Sequence, residues 1–143
     1  ALLGEASETQ VDGFRTFGLN LGIAFQIVDD ILDLTGEEQS LGKPTASDLR
    51  EGKFTYPVLY ALRNLEGASH QELLSLVGQS PCLDGKGVDR VVELVNESGG
   101  IQAAYQCAAG YAALALEALA AQPESPALAA LREVADNVVH RSR

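Results

Sequence analysis

Apolar residues recur along most of the chain at three- and four-residue intervals, the spacing of amphipathic helices. No run alternates Val, Ile or Thr with polar residues between turn signals, so no strand is expected. Ser7 and Gln10 form a capping box. The apolar pattern they open continues to Leu34, where Thr35-Gly36 stops it. A polar loop over residues 37–44 leads to a short helical piece with Asp48 and Glu51 as its cap pair. Thr55 starts a helix to about residue 65, with Pro57 in the first turn, where a missing N–H is harmless. Ser69 and Glu72 make a second capping box, opening a helix that ends near Val77. A turn-rich stretch over residues 78–87 precedes a helix over residues 88–97. Gly99-Gly100 then breaks the chain before a long alanine-rich helix to about Ala121. Ser125 as cap and Pro126 as first helical residue open the last helix, which runs to the C-terminus. The pattern describes an all-α bundle of about six helices. It forms a single domain over residues 1–143, with no linker and no repeat. Residues 1–4 read as the last turn of a preceding helix, so a fragment or one half of a larger fold is expected.

Composition narrows the partners. The 143 residues carry 46% hydrophobic and 21% charged side chains, an ordinary globular balance. Twenty acidic residues against ten basic ones give a formal net charge of −10 and a pI near 4.5. Such a chain repels phosphate backbones and anionic membranes, so no nucleic-acid partner is expected. An anionic ligand has to arrive with a metal ion or meet a local cluster of Lys and Arg. No apolar run approaches the ~20 residues of a membrane span, and no basic segment followed by an apolar one stands at the start of this sequence. Cys82 and Cys107 lie far apart without metal-ligand spacing. They read as reduced thiols; a single disulfide between them is allowed but unneeded. A cytoplasmic, reducing compartment is the expectation.

The segment Phe25-Gln26-Ile27-Val28-Asp29-Asp30-Ile31-Leu32-Asp33 carries the strongest chemical signal. At about 100° per residue, with Asp29 at zero, Asp33 falls near ~40°, Gln26 near ~60° and Asp30 near ~100°. Gly22 and Gly18 extend the same stripe toward the N-terminus. Ile23, Ala24, Ile27, Val28, Ile31, Leu32 and Leu34 cover the opposite, wider arc. As plain structure the stripe is unfavourable. Like charges at i, i+4 repel by roughly 0.2–0.5 kcal/mol. Carboxylates in the last two turns also face the negative end of the helix dipole, at about 0.3–1 kcal/mol each. A nearby cation reverses the sign of all these terms. Mg²⁺ suits them, because it takes one or two carboxylates and completes its shell with water and substrate phosphates. The bland reading, a solvated acidic face, fits poorly with so wide an apolar arc. Glycines at 18 and 22 leave room above the stripe for a ligand.

Beyond the helix, Leu41-Gly42-Lys43-Pro44 and Asp48-Leu49-Arg50-Glu51-Gly52-Lys53 bring two lysines just past the acidic residues. Loop lysines are ordinarily solvated charges. Beside carboxylates and a divalent metal they are also a sensible way to hold a diphosphate. Residues 22–33, with the Leu41–Pro44 and Asp48–Lys53 segments, resemble the second aspartate-rich motif and following segment of the trans-isoprenyl diphosphate synthases, the polyprenyl synthetases. The ending from Ala135 to Arg143 is similar to that family's C-terminal helix, and Gly99-Gly100 before an alanine-rich helix fits as well.

The resemblance implies the isoprenoid synthase fold and Mg²⁺-dependent, chain-elongating prenyl transfer. An allylic diphosphate condenses with isopentenyl diphosphate, pyrophosphate leaves, and a site dry enough protects the allylic cation. By that likeness Asp29 is the principal metal ligand, with Asp30 and Asp33 as its partners, partly through bound water. Lys43 contacts the allylic diphosphate, Lys53 is a second lysine near the metal shell, and Gln26 and Phe25 touch substrate. Asp48 matches an outer-sphere metal partner, though a helix cap explains it equally. Arg141 or Arg143 matches a contact to isopentenyl diphosphate.

The family's first aspartate-rich motif and its N-terminal isopentenyl-binding residues have no counterpart here. The chain therefore matches a C-terminal half that is inactive alone, with the other half supplied by a longer chain or by a homologous subunit in a homodimer. Two other readings stand beside this one. One is a non-catalytic regulatory subunit that dimerises with a complete synthase, for which an intact Asp29-Asp30-Asp33 with both lysines would be superfluous. The other is a terpene cyclase fragment, which the Lys43–Lys53 segment fits less well. The electrostatics make Asp29→Asn a discriminating substitution. In a reconstituted full-length enzyme, turnover should fall by orders of magnitude while the melting temperature stays level or rises slightly, since repulsion is relieved. Retained activity with a stability loss above ~2 kcal/mol would make Asp29 a structural residue instead.

Overall fold

Seven helices run through the residues that the computed structural model describes, 6–36 and 46–140, the last two of these by backbone alone. They are α1 (Glu8–Thr35), α2 (Ser47–Arg50), α3 (Tyr56–Asn64), α4 (Gly67–Val77), α5 (Gly85–Glu97), α6 (Gly100–Ala118) and α7 (Pro126–His140). The all-α expectation holds, and no strand occurs among the described residues. No helix among them is long and apolar enough to cross a membrane.

Local side-chain caps account for the starts of α1, α5 and α7. The Ser7–Gln10 capping box forms: Gln10 N–H donates to Ser7 Oγ at 3.3 Å, and Ser7 N–H to Gln10 Oε1 at 3.0 Å. Ser125 Oγ accepts from Leu128 N–H at 3.1 Å, so α7 begins as expected with Pro126 first. Asp84 caps α5 by accepting from Gly87 N–H at 2.8 Å, which starts that helix three residues before the sequence pattern does. Two capping expectations are corrected. Ser69 and Glu72 do not open α4, which starts at Gly67. The Glu72 carboxylate is instead held by the Arg90 guanidinium on α5, a charge-assisted partner that outcompetes a backbone amide. Asp48 and Glu51 do not cap α2 either; its cap position is Ala46, in the left-handed region at φ 53° with no side-chain bond of its own. The alanine-rich helix stops at Ala118, where i→i−3 bonds from Leu119 and Ala120 tighten the last turn.

The chain divides into two compact units. The unit Asp29–Tyr105 is organised around α5, whose Val88, Val91, Leu94 and Val95 are buried at helical spacing. They pack with Leu49, Val58, Ala61 and Leu73 from α2, α3 and α4, and with Leu34. Full burial of each Val or Leu is worth about 1.5–3 kcal/mol, so this face dominates the unit's stability. Packing is close enough that a Cβ at Gly100 would stand 2.7 Å from the Pro57 carbonyl oxygen. On the solvent side of α5, Arg90 pairs with both Glu72 oxygens at 2.9 Å, with Glu93 at 2.8 Å and with Glu97 at 3.2 Å.

The other unit, Ala1–Val28 with Gln106–Arg143, joins the first part of α1 to the end of α6 and to α7. Phe17, Ala115, Leu119, Leu128 and Ala135 form one buried cluster; Ala24, Ala112 and Val138 form another. Alanine and glycine let these helices approach closely. A Cβ on Gly13 would lie 2.9 Å from the Ala118 carbonyl oxygen.

The Arg90 network has a pH signature. Hydrogen bonding to Arg90, and then its positive charge, hold the Glu72 carboxyl below its ordinary value against desolvation. A lowered folded-state value contributes stability above the unfolded-state pKa and loses it as pH falls through the folded one. Arg90→Gln should therefore lower the melting temperature at pH 7 and make progressively less difference as pH drops below about 4. Thermal melts across that range would decide it; a deficit equally large at pH 3 would assign Arg90 a packing role.

Candidate functional site

The C-terminal turns of α1 distribute their three carboxylates unequally. Ile27, Val28, Ile31 and Leu34 are buried, as the apolar arc requires. Asp29 is exposed, Asp33 is half-buried, and Asp30, at the border of the arc, is buried at 9% exposure.

Asp33 is hydrogen-bonded to the start of α2. Its Oδ1 accepts from Ser47 N–H at 3.1 Å and from the Ser47 hydroxyl, and its Oδ2 accepts from Asp48 N–H at 3.1 Å. The Asp33 carbonyl oxygen also accepts from Ala46 N–H at 2.7 Å. The cap that α2 lacks locally is thus supplied by a carboxylate fourteen residues upstream.

The far end of α2 places Lys53. Gly52, at φ 80°, turns the backbone through a region that favours glycine. Lys53 N–H then donates back to the Asp48 carbonyl at 2.8 Å, and Ser80 Oγ ties the Leu49 carbonyl at 2.6 Å. Lys53 Nζ lies 2.7 Å from Glu51 Oε2 and 3.6 Å from Asp48 Oδ1. Its hydrogen bond with Glu51 and the Glu51 charge, with a smaller share from Asp48, raise its pKa above the ordinary lysine value. Lys53 is therefore a cation throughout the neutral range, and more than half of its side chain remains exposed.

Asp29, Asp30, Asp33, Asp48 and Lys53 all belong to the unit Asp29–Tyr105. Phe25 and Gln26 are exposed one turn earlier on α1, in the other unit. Lys43, Arg141 and Arg143 lie outside the described residues. Among the described residues, no group of three or more His, Cys, Asp or Glu side chains is gathered as a cation cage. Gly18 and Gly22 are open as expected: a Cβ at either would meet nothing within 4 Å. With Leu21, Phe25, Val134, Asn137 and Val138 they frame an apolar groove of about 500 Å³. The α7 wall of this groove went unread in the sequence, although Leu131, Val134, Ala135 and Val138 already show helical apolar spacing.

The fold and the acidic helix define the class, an all-α protein of the isoprenoid synthase fold. Residues 1–98 match the family model described as polyprenyl synthetase. That is well over half of the chain, which belongs to the polyprenyl synthetase family. It is 41% identical over 143 residues to a Neurospora crassa protein named "Probable hexaprenyl pyrophosphate synthase, mitochondrial", covering all of this chain and 30% of that one. It is 36% identical over 141 residues to the short chain isoprenyl diphosphate synthase of Methanothermobacter thermautotrophicus, covering 99% of this chain and 42% of that one. Among solved structures, geranylgeranyl pyrophosphate synthase from Corynebacterium glutamicum, complexed with calcium and isoprenyl diphosphate, superposes with a TM-score of 0.86. The identity there is 38%, over 99% of this chain and 43% of that one. The chain thus spans less than half the length of these relatives.

Proposed function

We propose that this chain provides the second aspartate-rich half of the site of a chain-elongating prenyltransferase, which condenses an allylic diphosphate with isopentenyl diphosphate and releases pyrophosphate. The observation that carries the reading is the hydrogen-bonded bracket from Asp33 through α2 to Lys53. It holds Lys53, a cation in the neutral range, just beyond the short helix that is fastened to Asp33 of α1. Membership of the polyprenyl synthetase family and the diphosphate named with the Corynebacterium structure support it.

Mg²⁺ is the cation proposed. It commonly takes only one or two protein carboxylates and fills its octahedron with water and phosphate oxygens. Asp29 suits that habit, being an exposed carboxylate at the negative end of a long helix, with Asp30 beside it. When bound, such a cation neutralises the leaving diphosphate. The chain's own groups do the remaining work. Asp29 and Asp30 hold the cation, Lys53 and Lys43 bind diphosphate oxygens, and Phe25 and Gln26 contact substrate beside the motif. Asp48 balances Lys53, and Arg143 or Arg141 serves isopentenyl diphosphate. The half with the first aspartate-rich motif comes from the rest of a longer chain or from a homologous subunit, in a homodimeric assembly within the cytoplasm.

Calorimetry with inorganic pyrophosphate tests the core of this reading. Binding to the 143-residue chain should be tighter in Mg²⁺ than in chelator, with the helical circular-dichroism signal unchanged between the two. Equal affinity in both would sink the metal bridge. The same chain assayed alone with both substrates should form no elongated product, and mixing it with a separately expressed N-terminal half should restore elongation.

A further inference from the structure

The carboxylate of Asp33 is committed to backbone. Its two oxygens take the Ser47 N–H, the Ser47 hydroxyl and the Asp48 N–H, while its carbonyl takes the Ala46 N–H. Four hydrogen bonds therefore join the last turns of α1 to the first turn of α2. That helix is only four residues long, and its cap residue makes no side-chain bond. A helix so short does not persist on its own, because nucleation costs more than one turn of bonds returns. Its internal bonds, Arg50 N–H to Ala46 and Glu51 N–H to Ser47, both start from residues at the Asp33 contact. Lys53 is in turn tied to Asp48, by its N–H at 2.8 Å and by its ammonium at 3.6 Å. Drawing Asp33 away to coordinate a cation would strand the Ser47 and Asp48 amides at an uncapped helix start.

We infer that Asp33 is a positioning residue: it caps α2 and thereby sets where Lys53 stands, and it acts on a bound diphosphate through Lys53 rather than through the cation. This role rests on the diphosphate reading proposed above. It separates Asp33 from Asp29, although the two share one stripe of α1.

The test uses the whole chain, with inorganic pyrophosphate as probe. Amide exchange at Ser47 and Asp48 is measured by NMR without metal or ligand, and pyrophosphate affinity is measured in Mg²⁺ and in chelator. Asp33→Ala should speed exchange at both amides by about tenfold or more. It should weaken pyrophosphate by the same factor in Mg²⁺ and in chelator, and Lys53→Ala added to it should cost little more, the mark of coupled residues. Asp29→Asn should weaken binding in Mg²⁺ alone and leave exchange at Ser47 and Asp48 unchanged. Should Asp33→Ala unfold the chain, Asp33→Asn and Ser47→Ala each remove part of the cap and should give intermediate shifts in both readouts. Unchanged exchange, a loss confined to Mg²⁺, or losses that simply add to those of Lys53→Ala would overturn the inference and make Asp33 a metal ligand. A wild-type chain that binds no pyrophosphate in either condition would bring down the diphosphate reading, and the inferred role with it. The exchange data would then still register the cap as structure.

Discussion

A carboxylate in the last turn of a helix faces the negative pole of the backbone dipole, and Asp33 stands there, two residues before the end of α1. Such a charge has to be compensated by something outside the helix. For Asp33 the compensation is visible: the amide hydrogens at the start of α2 form the positive pole of another helix, and the carboxylate lies against them. One pairing of opposite helix ends removes a penalty from α1 and supplies the cap that α2 lacks. The course of the chain from Ala46 to Lys53 depends on that exchange.

Asp29 and Asp30 stand about one turn earlier on the same helix. Asp29 is exposed and Asp30 is buried at the edge of the apolar arc. On the proposed function, such exposure is what a hydrated cation would require of its ligand. Rigidity is supplied by what lies beneath. Ile27, Val28, Ile31 and Leu34 anchor the opposite side of the same helix. Core packing thus fixes the direction of the acidic face, with Asp29 exposed and Asp30 buried at its border.

Much of this was legible in the sequence, and the limits are physical. Signals acting within one turn read correctly: the Ser7–Gln10 box, Ser125 before Pro126 and the stop at Thr35-Gly36 all depend on neighbours three or four residues apart. The apolar arc opposite Asp29 was equally plain, since a wheel needs only the helical period. What escaped were pairings across longer separations. Ser69 and Glu72 satisfy a local capping pattern, yet Arg90, eighteen residues beyond Glu72, takes the carboxylate. Asp48 looked like the cap of its own helix, whereas the cap comes from Asp33. Short polar side chains serve a local amide or a distant one equally well, and only the tertiary fold decides between them.

The same ambiguity bears on how an aspartate-rich motif is read. Three acidic residues at i, i+1 and i+4 suggest a single job done three times, because spacing alone assigns them one chemistry. Their surroundings divide them. Asp29 is exposed to solvent, whereas Asp33 is fastened to α2. A carboxylate whose oxygens already accept from three donors has spent most of its capacity, and a cation would have to repay those bonds before gaining anything. On the proposed function, the motif's length would reflect two linked requirements, a ligand at its start and a fastener at its end. The intervening turn of α1 keeps Asp29 and the cap of α2 in fixed register. Asp33 thereby links the acidic turns of α1 to the segment that ends at Lys53, whose ammonium lies against Glu51 and Asp48.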